Sequence, residues 1–335
     1  MTLPVRQLGS LTVSAIGLGC MNICHAYGTP PSEEDAGRLL NRALDLGVTF
    51  LDTAAIYGLG QSERLISRYV MHRKSEFVLA SKCVLDAVDG KRVLDGRPES
   101  IRRTLDEALG RLGTDRIDLY YLHRPDRTVP IEDSVGELAR AVEAGKIGAI
   151  GLSEMGAGLV RRAHAVHPIA AVQSEYSPMV RNPEVAVLDA CRELGIGFVA
   201  FSPVARGMLA RGVADDAYER GDIRAIMPRF TGDNLRHNLD VVARFEALAA
   251  DAGMTPAQLA IGWVLAQGDT IVPIPGTRSV AHLEEDVDAA GVQVDADLIA
   301  AVDAVFDGTV RGARYNAAMQ ATVDTETLPG EELAA

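Results

Sequence analysis

The segment FLDTAAIYG, residues 50–58, brings a carboxylate and a phenol close together in the chain. Asp52 ends a short β-favouring run, and Tyr57 follows five positions later beside a glycine. Two later apolar runs lead to Lys82 and His123. An ammonium held by a carboxylate can stabilise the phenolate form of a neighbouring tyrosine, and an imidazole can orient the same acceptor by a hydrogen bond. Together these side chains predict proton delivery to a carbonyl oxygen.

The proton donor of this group would be the phenol of Tyr57. A free phenol titrates near pH 10 and is a poor acid at neutral pH. An ammonium about 4 Å away, at an effective dielectric constant of about 20, favours the phenolate by on the order of 4 kcal/mol. We therefore expect Lys82, held by Asp52, to lower the pKa of Tyr57 toward neutral pH.

Proton delivery alone reduces nothing, and these four residues do not resemble a Ser-His-Asp triad. A hydride from a nicotinamide is the natural complement. The Rossmann fingerprint is missing, because GLGCMN and GLGQSE each contain a GxG without the third glycine, and there is no Walker loop. We therefore expect a nicotinamide cofactor that is held in another way.

Short apolar runs alternate with amphipathic helical segments along most of the chain. The runs are apolar on both faces, which is typical of parallel strands covered by helices. About eight such strands at this chain length predict an α/β fold, a single (β/α)8 TIM barrel. A short N-terminal β-hairpin, in VRQLGSLTVSAIGLGC, precedes the barrel. The predicted barrel strands are 15–19, 48–52, 77–82, 117–122, 147–152, 170–174, 197–202 and 270–274.

The carboxyl ends of the strands build the active face of such a barrel. A long irregular segment at 207–237 follows the seventh strand and is predicted to be a lid or a binding loop. We expect residues 1–320 to form the barrel and residues 321–335 to form an acidic, mobile tail. Consecutive predicted strands end on polar residues, namely Asp52, Lys82, His123, Ser153, Gln173 and Ser202.

The composition, with 47% hydrophobic and 24% charged residues, indicates a soluble globular protein. A net charge of -13 disfavours nucleic-acid binding, since phosphate neutralisation needs clustered basic residues. Neither a secretory signal nor a bilayer-length apolar stretch is found, so we expect a cytoplasmic protein without a membrane partner. Cys20, Cys24 and His25 lack a matching second pair of ligands, so we expect no metal site.

The chain resembles the aldo-keto reductase superfamily from IGLGCMN to LEEDVDAA, which is nearly its whole length. By this resemblance, Asp52, Tyr57, Lys82 and His123 are the catalytic tetrad, and Tyr57 is the general acid. The resemblance implies NADPH-dependent reduction of an aldehyde or ketone, with alcohol oxidation as the reverse reaction. It also implies that the cofactor lies extended across a (β/α)8 barrel without a Rossmann domain.

The same resemblance implies cofactor-binding residues after the later strands. His282 occupies a place often filled by Arg, so the preference for NADPH rests largely on Thr277 and Arg278, and use of NADH stays open. From the nicotinamide carboxamide and ring, through the pyrophosphate, to the 2'-phosphate and adenine, the residues are Ser153, Gln173, Phe201, Ser202, Val204, Arg206, Gly207, Gly276, Thr277, Arg278, His282, Glu285 and Asp286.

The segments GCMNICHAYG and MPRFTGDN are similar to the branch of the family that contains bacterial and plant reductases of aldehydes and ring ketones. The implied substrate is a small carbonyl compound whose identity stays open, as does the choice between a monomer and a homo-oligomer. The implied pocket residues, besides Tyr57, are Met21, Tyr27, Arg124, Tyr176, Met179, Arg229 and Phe230.

Three other interpretations remain. Cofactor-binding regulatory subunits with negligible turnover share the fold and the motifs, although this chain shows no obvious partner helix. A Schiff-base enzyme could use Lys82 as its nucleophile, but the adjacent carboxylate of Asp52 would keep the amine protonated. A metal-dependent hydrolase fits less well, because the first predicted strand lacks an HxH pair.

Overall fold

Eight parallel strands form one sheet in the computed structural model of the chain, which describes residues 3–88 and 91–334. Backbone hydrogen bonds of 3.0 Å from Gly17 to Pro273 and from Gly19 to Pro275 join the first strand to the last, so the sheet curls into a barrel. The predicted α/β TIM barrel is therefore confirmed. Its strands are β3 (Leu18–Gly19), β4 (Phe50–Asp52), β5 (Val78–Cys83), β8 (Ile117–Leu122), β9 (Ile147–Ser153), β10 (Ile169–Glu175), β11 (Gly197–Phe201) and β12 (Ile271–Ile274).

Helices cover the outside of the sheet. Ser32 begins the first of them, because its side chain accepts a hydrogen bond from the backbone N–H of Asp35. Thr255 and Gln258 form a reciprocal capping box at the start of another. The helices of the described residues are α1 (Glu33–Asp45), α2 (Gln61–Val70), α3 (Pro98–Leu112), α4 (Ile131–Glu143), α5 (Ala157–Val166), α6 (Val187–Leu194), α7 (Gly232–Asp251), α8 (Pro256–Ala266), α9 (Val280–Asp288), α10 (Ala296–Phe306) and α11 (Ala317–Gln320).

The predicted N-terminal hairpin is present as antiparallel strands β1 (Val5–Leu8) and β2 (Leu11–Ser14). Leu8 of this hairpin is fully buried in a cluster with side chains of the barrel strands. A Cβ atom at Gly197 would lie 2.7 Å from the Cα of Leu8, so β11 needs a glycine where the hairpin packs against it. The hairpin thus lies at the amino-terminal end of β11, away from the strand ends that carry the polar residues.

A second hairpin, which the sequence analysis did not predict, follows the third barrel strand. Its strands are β6 (Leu85–Val88) and β7 (Lys91–Leu94). An Asp-Gly pair between two apolar runs is a hairpin signal, and LDAVDGKRVL contains one. The hairpin matters for function because Leu85 and Arg92 line the large cavity described below.

The predicted long loop after the seventh strand begins as expected but ends earlier. Short 3-10 turns at Ala205–Ala210, Ile223–Ile226 and Pro228–Phe230 interrupt it, and α7 already begins at Gly232. Ile223 donates a backbone hydrogen bond of 2.9 Å to the carbonyl of Ala26. The loop therefore reaches across the barrel mouth to the segment that follows β3.

The C-terminal segment contacts the barrel in the described residues after 320. Val323 is buried, and the backbone N–H of Asp324 donates to the carbonyl of Glu154 over 3.0 Å. Asn182 donates to the carbonyl of Glu326 over 3.0 Å. Mobility of residues 321–335 stays a prediction. Within residues 3–88 and 91–334, no helix combines the length and apolar character needed to cross a membrane.

Candidate active site

Lys82 lies at the centre of the predicted tetrad. Its ammonium is fully buried, pairs with the carboxylate of Asp52, and donates to the carbonyl of Thr53 over 2.8 Å. The hydroxyl oxygen of Tyr57 lies 3.5 Å from the same nitrogen. Asp52 also accepts a hydrogen bond of 2.8 Å from the side-chain amide of Gln173. The structure therefore brings together residues from β4, β5, β10 and the turn after β4, as the strand-end pattern predicted.

The pKa of Tyr57 departs from the sequence-based expectation. Burial raises this pKa, while the charge of Lys82 lowers it by less, so the net direction is upward. The expected downward shift is therefore wrong, because that expectation counted the charge of Lys82 and left out the cost of desolvating the phenolate. Tyr57 keeps its proton at neutral pH, which a proton donor requires.

The state of Lys82 follows from two opposing effects. Burial lowers its pKa, but the nearby Asp52 and Tyr57 outweigh burial and raise it. Lys82 is therefore a stable ammonium. A buried, paired ammonium has no free electron pair for attack on a carbonyl, which disfavours the Schiff-base alternative.

His123 is buried beside the tyrosine, with the two rings edge to face at a centroid distance of 5.8 Å. Burial, together with the charges of Arg124, Lys82 and Arg92, holds the pKa of His123 well below its usual range. The imidazole is therefore neutral. Its Nδ1 atom has no hydrogen-bond partner among the described residues. A buried polar atom without a partner in a cavity wall indicates a place for a ligand.

A cavity of about 510 Å³ opens over this group at the carboxyl ends of the strands. Asp52, Tyr57 and His123 line it, while Lys82 lies behind them. Every residue that the resemblance assigned to the cofactor also lines this one cavity. They are Ser153, Gln173, Phe201, Ser202, Val204, Arg206, Gly207, Gly276, Thr277, Arg278, His282, Glu285 and Asp286.

The predicted substrate pocket is only partly brought together. Met21, Tyr27 and Arg124 line the cavity, whereas Tyr176, Met179, Arg229 and Phe230 do not. Tyr176 instead packs its ring 5.4 Å from that of the buried Trp263. Arg229 donates to the carbonyl of Met179 over 3.3 Å, which holds both residues in the interior. We correct these four residues from pocket to packing positions. None of them lines the cavity, and the polar ends of Tyr176 and Arg229 are bonded to Glu184 and to backbone carbonyls.

The loop that follows β11 is strained where it lines the cavity. Ser202, Ala205 and Arg206 have φ angles of 52°, 46° and 57°. A left-handed conformation costs a non-glycine residue about 1–2 kcal/mol, and such strain concentrates at ligand-binding sites. Arg206 is buried and forms an ion pair of 2.9 Å with Glu175. Its charge is therefore already matched by a carboxylate.

The cavity fits an anionic dinucleotide in its donors and its backbone shape. Arg278 is exposed at the cavity edge, and His282 lines the same wall. A Cβ atom at Gly276 would lie 2.9 Å from the carbonyl oxygen of Gly19, so this wall needs a glycine where its backbone passes close to β3. Asp286 is buried beside Glu285, and burial raises the pKa of Asp286 to about 8.

Other cavity residues were missed by the sequence analysis. Arg92 comes from the β6–β7 hairpin, and Tyr315 and Met319 come from the C-terminal segment. No strand-end rule could find them, because they lie outside the barrel strands. Asn22, His25 and Arg224 also line the cavity.

A buried network of charges ties the C-terminal segment to this site. Arg314 donates to Glu154 over 2.9 Å and approaches Glu175 to 3.9 Å. Glu175 in turn pairs with Arg206. All four groups are less than 9% exposed. Glu154 therefore positions Arg314, and with it the neighbouring Tyr315 of the cavity wall.

The described part of the chain holds no group of three or more His, Cys, Asp or Glu arranged for a metal ion. Cys20, Cys24, Cys83 and Cys191 are free thiols.

Comparison with known proteins identifies the family. The model described as "Aldo/keto reductase family" matches residues 15–307. The aldo-keto reductase yakc of Schizosaccharomyces pombe, whose name includes NADP(+), is 42% identical over 340 residues, which cover 98% of this chain and 100% of that protein. A probable aldo-keto reductase 1 of Glycine max is 41% identical over 90% of this chain and 88% of its own length.

A solved structure shares the fold. The glycerol dehydrogenase of Gluconobacter oxydans matches with a TM-score of 0.83 and 28% identity, covering 91% of this chain and 95% of its own. The sequence match over residues 15–307 and the relatives that are more than 40% identical agree with this fold. The chain belongs to the aldo/keto reductase family.

Proposed function

We propose that this protein reduces the carbonyl group of an aldehyde or ketone with NADPH, and that Tyr57 is the general acid. The contact that supports this proposal most directly is the 3.5 Å approach of Lys82 to the Tyr57 hydroxyl behind an open cavity. Family membership supports the reaction class. The name of the Schizosaccharomyces pombe relative supports NADP(H) as the cofactor.

The chemistry divides between cofactor and protein. When bound, NADPH supplies the hydride that reduces the carbonyl carbon. Tyr57 gives its hydroxyl proton to the carbonyl oxygen, and Lys82 stabilises the phenolate that remains. Asp52 keeps Lys82 charged. Neutral His123 donates a hydrogen bond to the same carbonyl oxygen and orients it toward Tyr57.

The nicotinamide end of the cofactor would lie against Ser153, Gln173 and Phe201. Gln173 uses its amide N–H to bond Asp52, which leaves its carbonyl oxygen as an acceptor for a carboxamide. Phe201 supplies an aromatic face for the nicotinamide ring. Gln173 thereby links the cofactor to the carboxylate that holds Lys82.

The phosphates and adenine would be held by the loops after β11 and β12. The strained loop contributes Ser202, Val204, Arg206 and Gly207, with backbone donors near a guanidinium that Glu175 already neutralises. Gly276, Thr277, Arg278 and His282 would surround the 2'-phosphate. Glu285 and Asp286 would meet the adenine, where a protonated Asp286 can donate a hydrogen bond as an amide would.

A carbonyl panel assayed with NADPH and NADH side by side tests this proposal. The panel spans small aldehydes, sugars, quinones and fused-ring ketones, and the loss of reduced nicotinamide is followed. We expect turnover of at least one class, with NADPH preferred. Tight NADPH binding without turnover of any class would contradict the proposal and favour a redox-sensing regulatory subunit.

A further inference from the structure

The arginines that line the cavity fall into two groups. Arg206 and Arg224 are paired with carboxylates, each at an N–O distance of 2.9 Å or less. Arg92 and Arg124 form no ion pair with any described residue, although both line the same cavity. Arg278, in the wall that follows β12, also forms no ion pair with a described residue, so three unpaired cations line one cavity of a chain whose net charge is -13.

Arg124 is held in place while part of its guanidinium stays available. One of its terminal nitrogens donates to the carbonyl of His123 over 2.6 Å and approaches the Ser153 hydroxyl at 3.3 Å. The other two nitrogens make no hydrogen bond within the described residues. A guanidinium fixed through one nitrogen presents the rest of its planar fork to a ligand.

Arg92 reaches the same end of the cavity from the β6–β7 hairpin. Its side chain makes no hydrogen bond with any described residue, and the residue is exposed at the cavity mouth. The charges of Arg92 and Arg124 both act on His123, which places both guanidinium groups within electrostatic reach of that imidazole. They therefore lie at the proton-donor end of the cavity, whereas Arg278 lines the wall that follows β12.

We infer that the substrate carries an oxyanion, a carboxylate or a phosphate ester, in addition to its carbonyl group, and that Arg92 and Arg124 bind this oxyanion. The inference rests on the proposed carbonyl reduction and specifies its substrate class. Arg124 would hold the anion by a fixed fork, and Arg92 would close over it from the hairpin. Both contacts would turn the carbonyl toward Tyr57 and His123.

The test compares substrates that share one aromatic aldehyde and differ in charge. They are 4-carboxybenzaldehyde, 4-formylphenyl phosphate and the neutral methyl 4-formylbenzoate, each assayed for kcat/KM with NADPH. Arg92→Gln and Arg124→Gln each remove one positive charge, whereas Arg92→Lys keeps the charge at position 92. Arg103→Gln, on the outer face of α3, is the matched control. The dissociation constant of NADPH is measured for each variant by cofactor fluorescence.

We expect the wild-type protein to prefer at least one anionic aldehyde over the ester. Loss of one charged hydrogen bond should lower kcat/KM for that aldehyde about tenfold in Arg92→Gln and leave the ester within about twofold. Arg92→Lys should recover part of the loss, and Arg103→Gln should behave as wild type. The preferred anion identifies carboxylate or phosphate as the natural group.

Two results would overturn the inference while leaving carbonyl reduction intact. One is reduction of the ester as efficient as that of both anions, with no selective loss in Arg92→Gln. The other is NADPH binding weakened as much as anionic turnover, because the arginines would then serve the cofactor phosphates. If none of the aldehydes is reduced, the carbonyl-reduction proposal is contradicted for this substrate class. Calorimetric titration of the NADP(+)-loaded protein with benzoate then decides anion binding, which Arg92→Gln should weaken about tenfold and which an unchanged affinity would refute.

Discussion

The hydroxyl oxygen of Tyr57 lies 3.5 Å from the ammonium nitrogen of Lys82. The tyrosine faces the cavity and the lysine is sealed behind it. This order means that the lysine can act on a substrate only through the tyrosine. Asp52 pairs with the lysine, and Gln173 donates a hydrogen bond to Asp52. Tyr57 is thus linked through Lys82 and Asp52 to Gln173, which would also contact the cofactor.

Lys82→Met should lower kcat by about 100-fold or more, because the phenolate left by Tyr57 loses its counter-charge. The same change leaves Asp52 as a buried carboxylate with a hydrogen bond from Gln173 but no counter-charge, which should destabilise the fold by about 3–5 kcal/mol. The double variant Lys82→Met with Asp52→Asn should recover much of the stability but none of the activity. Chemical denaturation and steady-state kinetics separate the two effects, and Lys146→Met on the surface is the control.

The pH profile of reduction should be flat with respect to Tyr57 up to about pH 9. Burial raises the pKa of Tyr57 above its ordinary value near 10, so the protonated acid form persists through neutral pH. The reverse reaction needs the phenolate as base, so alcohol oxidation should rise with pH over the same range. A reduction rate that already falls between about pH 7 and pH 8 through loss of this proton would contradict the raised pKa.

Asp286→Asn should change the pH dependence of stability. Burial raises the pKa of Asp286 to about 8, above that of an unfolded aspartate, so the folded state binds the proton more tightly. The contribution of protonated Asp286 to the free energy of unfolding is fully present below about pH 4 and is lost as pH rises through about 8. The variant should therefore be more stable than wild type by on the order of 1–3 kcal/mol at about pH 8, with a much smaller difference at pH 4. Urea denaturation of the cofactor-free protein at both pH values measures the difference in stability between the variant and the wild type. Equal differences at the two pH values would contradict the raised pKa of Asp286.

Arg278→Gln should weaken NADPH binding about tenfold and leave NADH binding within about twofold, because only NADPH carries the 2'-phosphate. Arg278 is exposed, and its side chain donates to the carbonyl of Thr29, so its removal should cost little stability. Fluorescence titration with the two cofactors provides the comparison. Equal losses for both would place Arg278 outside the 2'-phosphate site.

Arg314→Met should leave Glu154 and Glu175 as buried carboxylates without their shared partner, at a cost of about 3–5 kcal/mol. Tyr315 would then lose its fixed position in the cavity wall, and KM for the carbonyl should rise more than kcat falls. The neighbouring exposed Arg311→Met is the matched control. Thermal unfolding measures the loss of stability, and steady-state kinetics measures KM and kcat. A destabilised variant with an unchanged KM would limit the ion pairs of Arg314 to a structural role.

The strand-end pattern predicted much of this arrangement because barrel geometry converts chain order into spatial proximity. Asp52, Lys82 and His123 follow separate apolar runs, and parallel strands bring such ends to one face. The same rule could not reach Arg92 or Tyr315, whose positions depend on how a hairpin and a C-terminal segment pack over the mouth.

Two other errors have local physical causes. Tyr176 follows the predicted strand 170–174, and Arg229 lies in the predicted loop 207–237, so both were expected at the barrel mouth. The polar ends of both side chains are instead bonded to Glu184 and to backbone carbonyls, and both side chains turn inward. The pKa of Tyr57 was expected to fall because the ammonium was weighed and desolvation was not. Packing decides both outcomes, and it cannot be read from the order of residues alone.

Tyr57→Phe tests the central claim most directly, because it removes one hydroxyl from a ring that otherwise keeps its place beside His123. Carbonyl reduction with saturating NADPH should fall by about 100-fold or more, while NADPH binding measured by cofactor fluorescence should stay within about twofold of wild type. Retention of full turnover by this variant would contradict the assignment of Tyr57 as the proton donor.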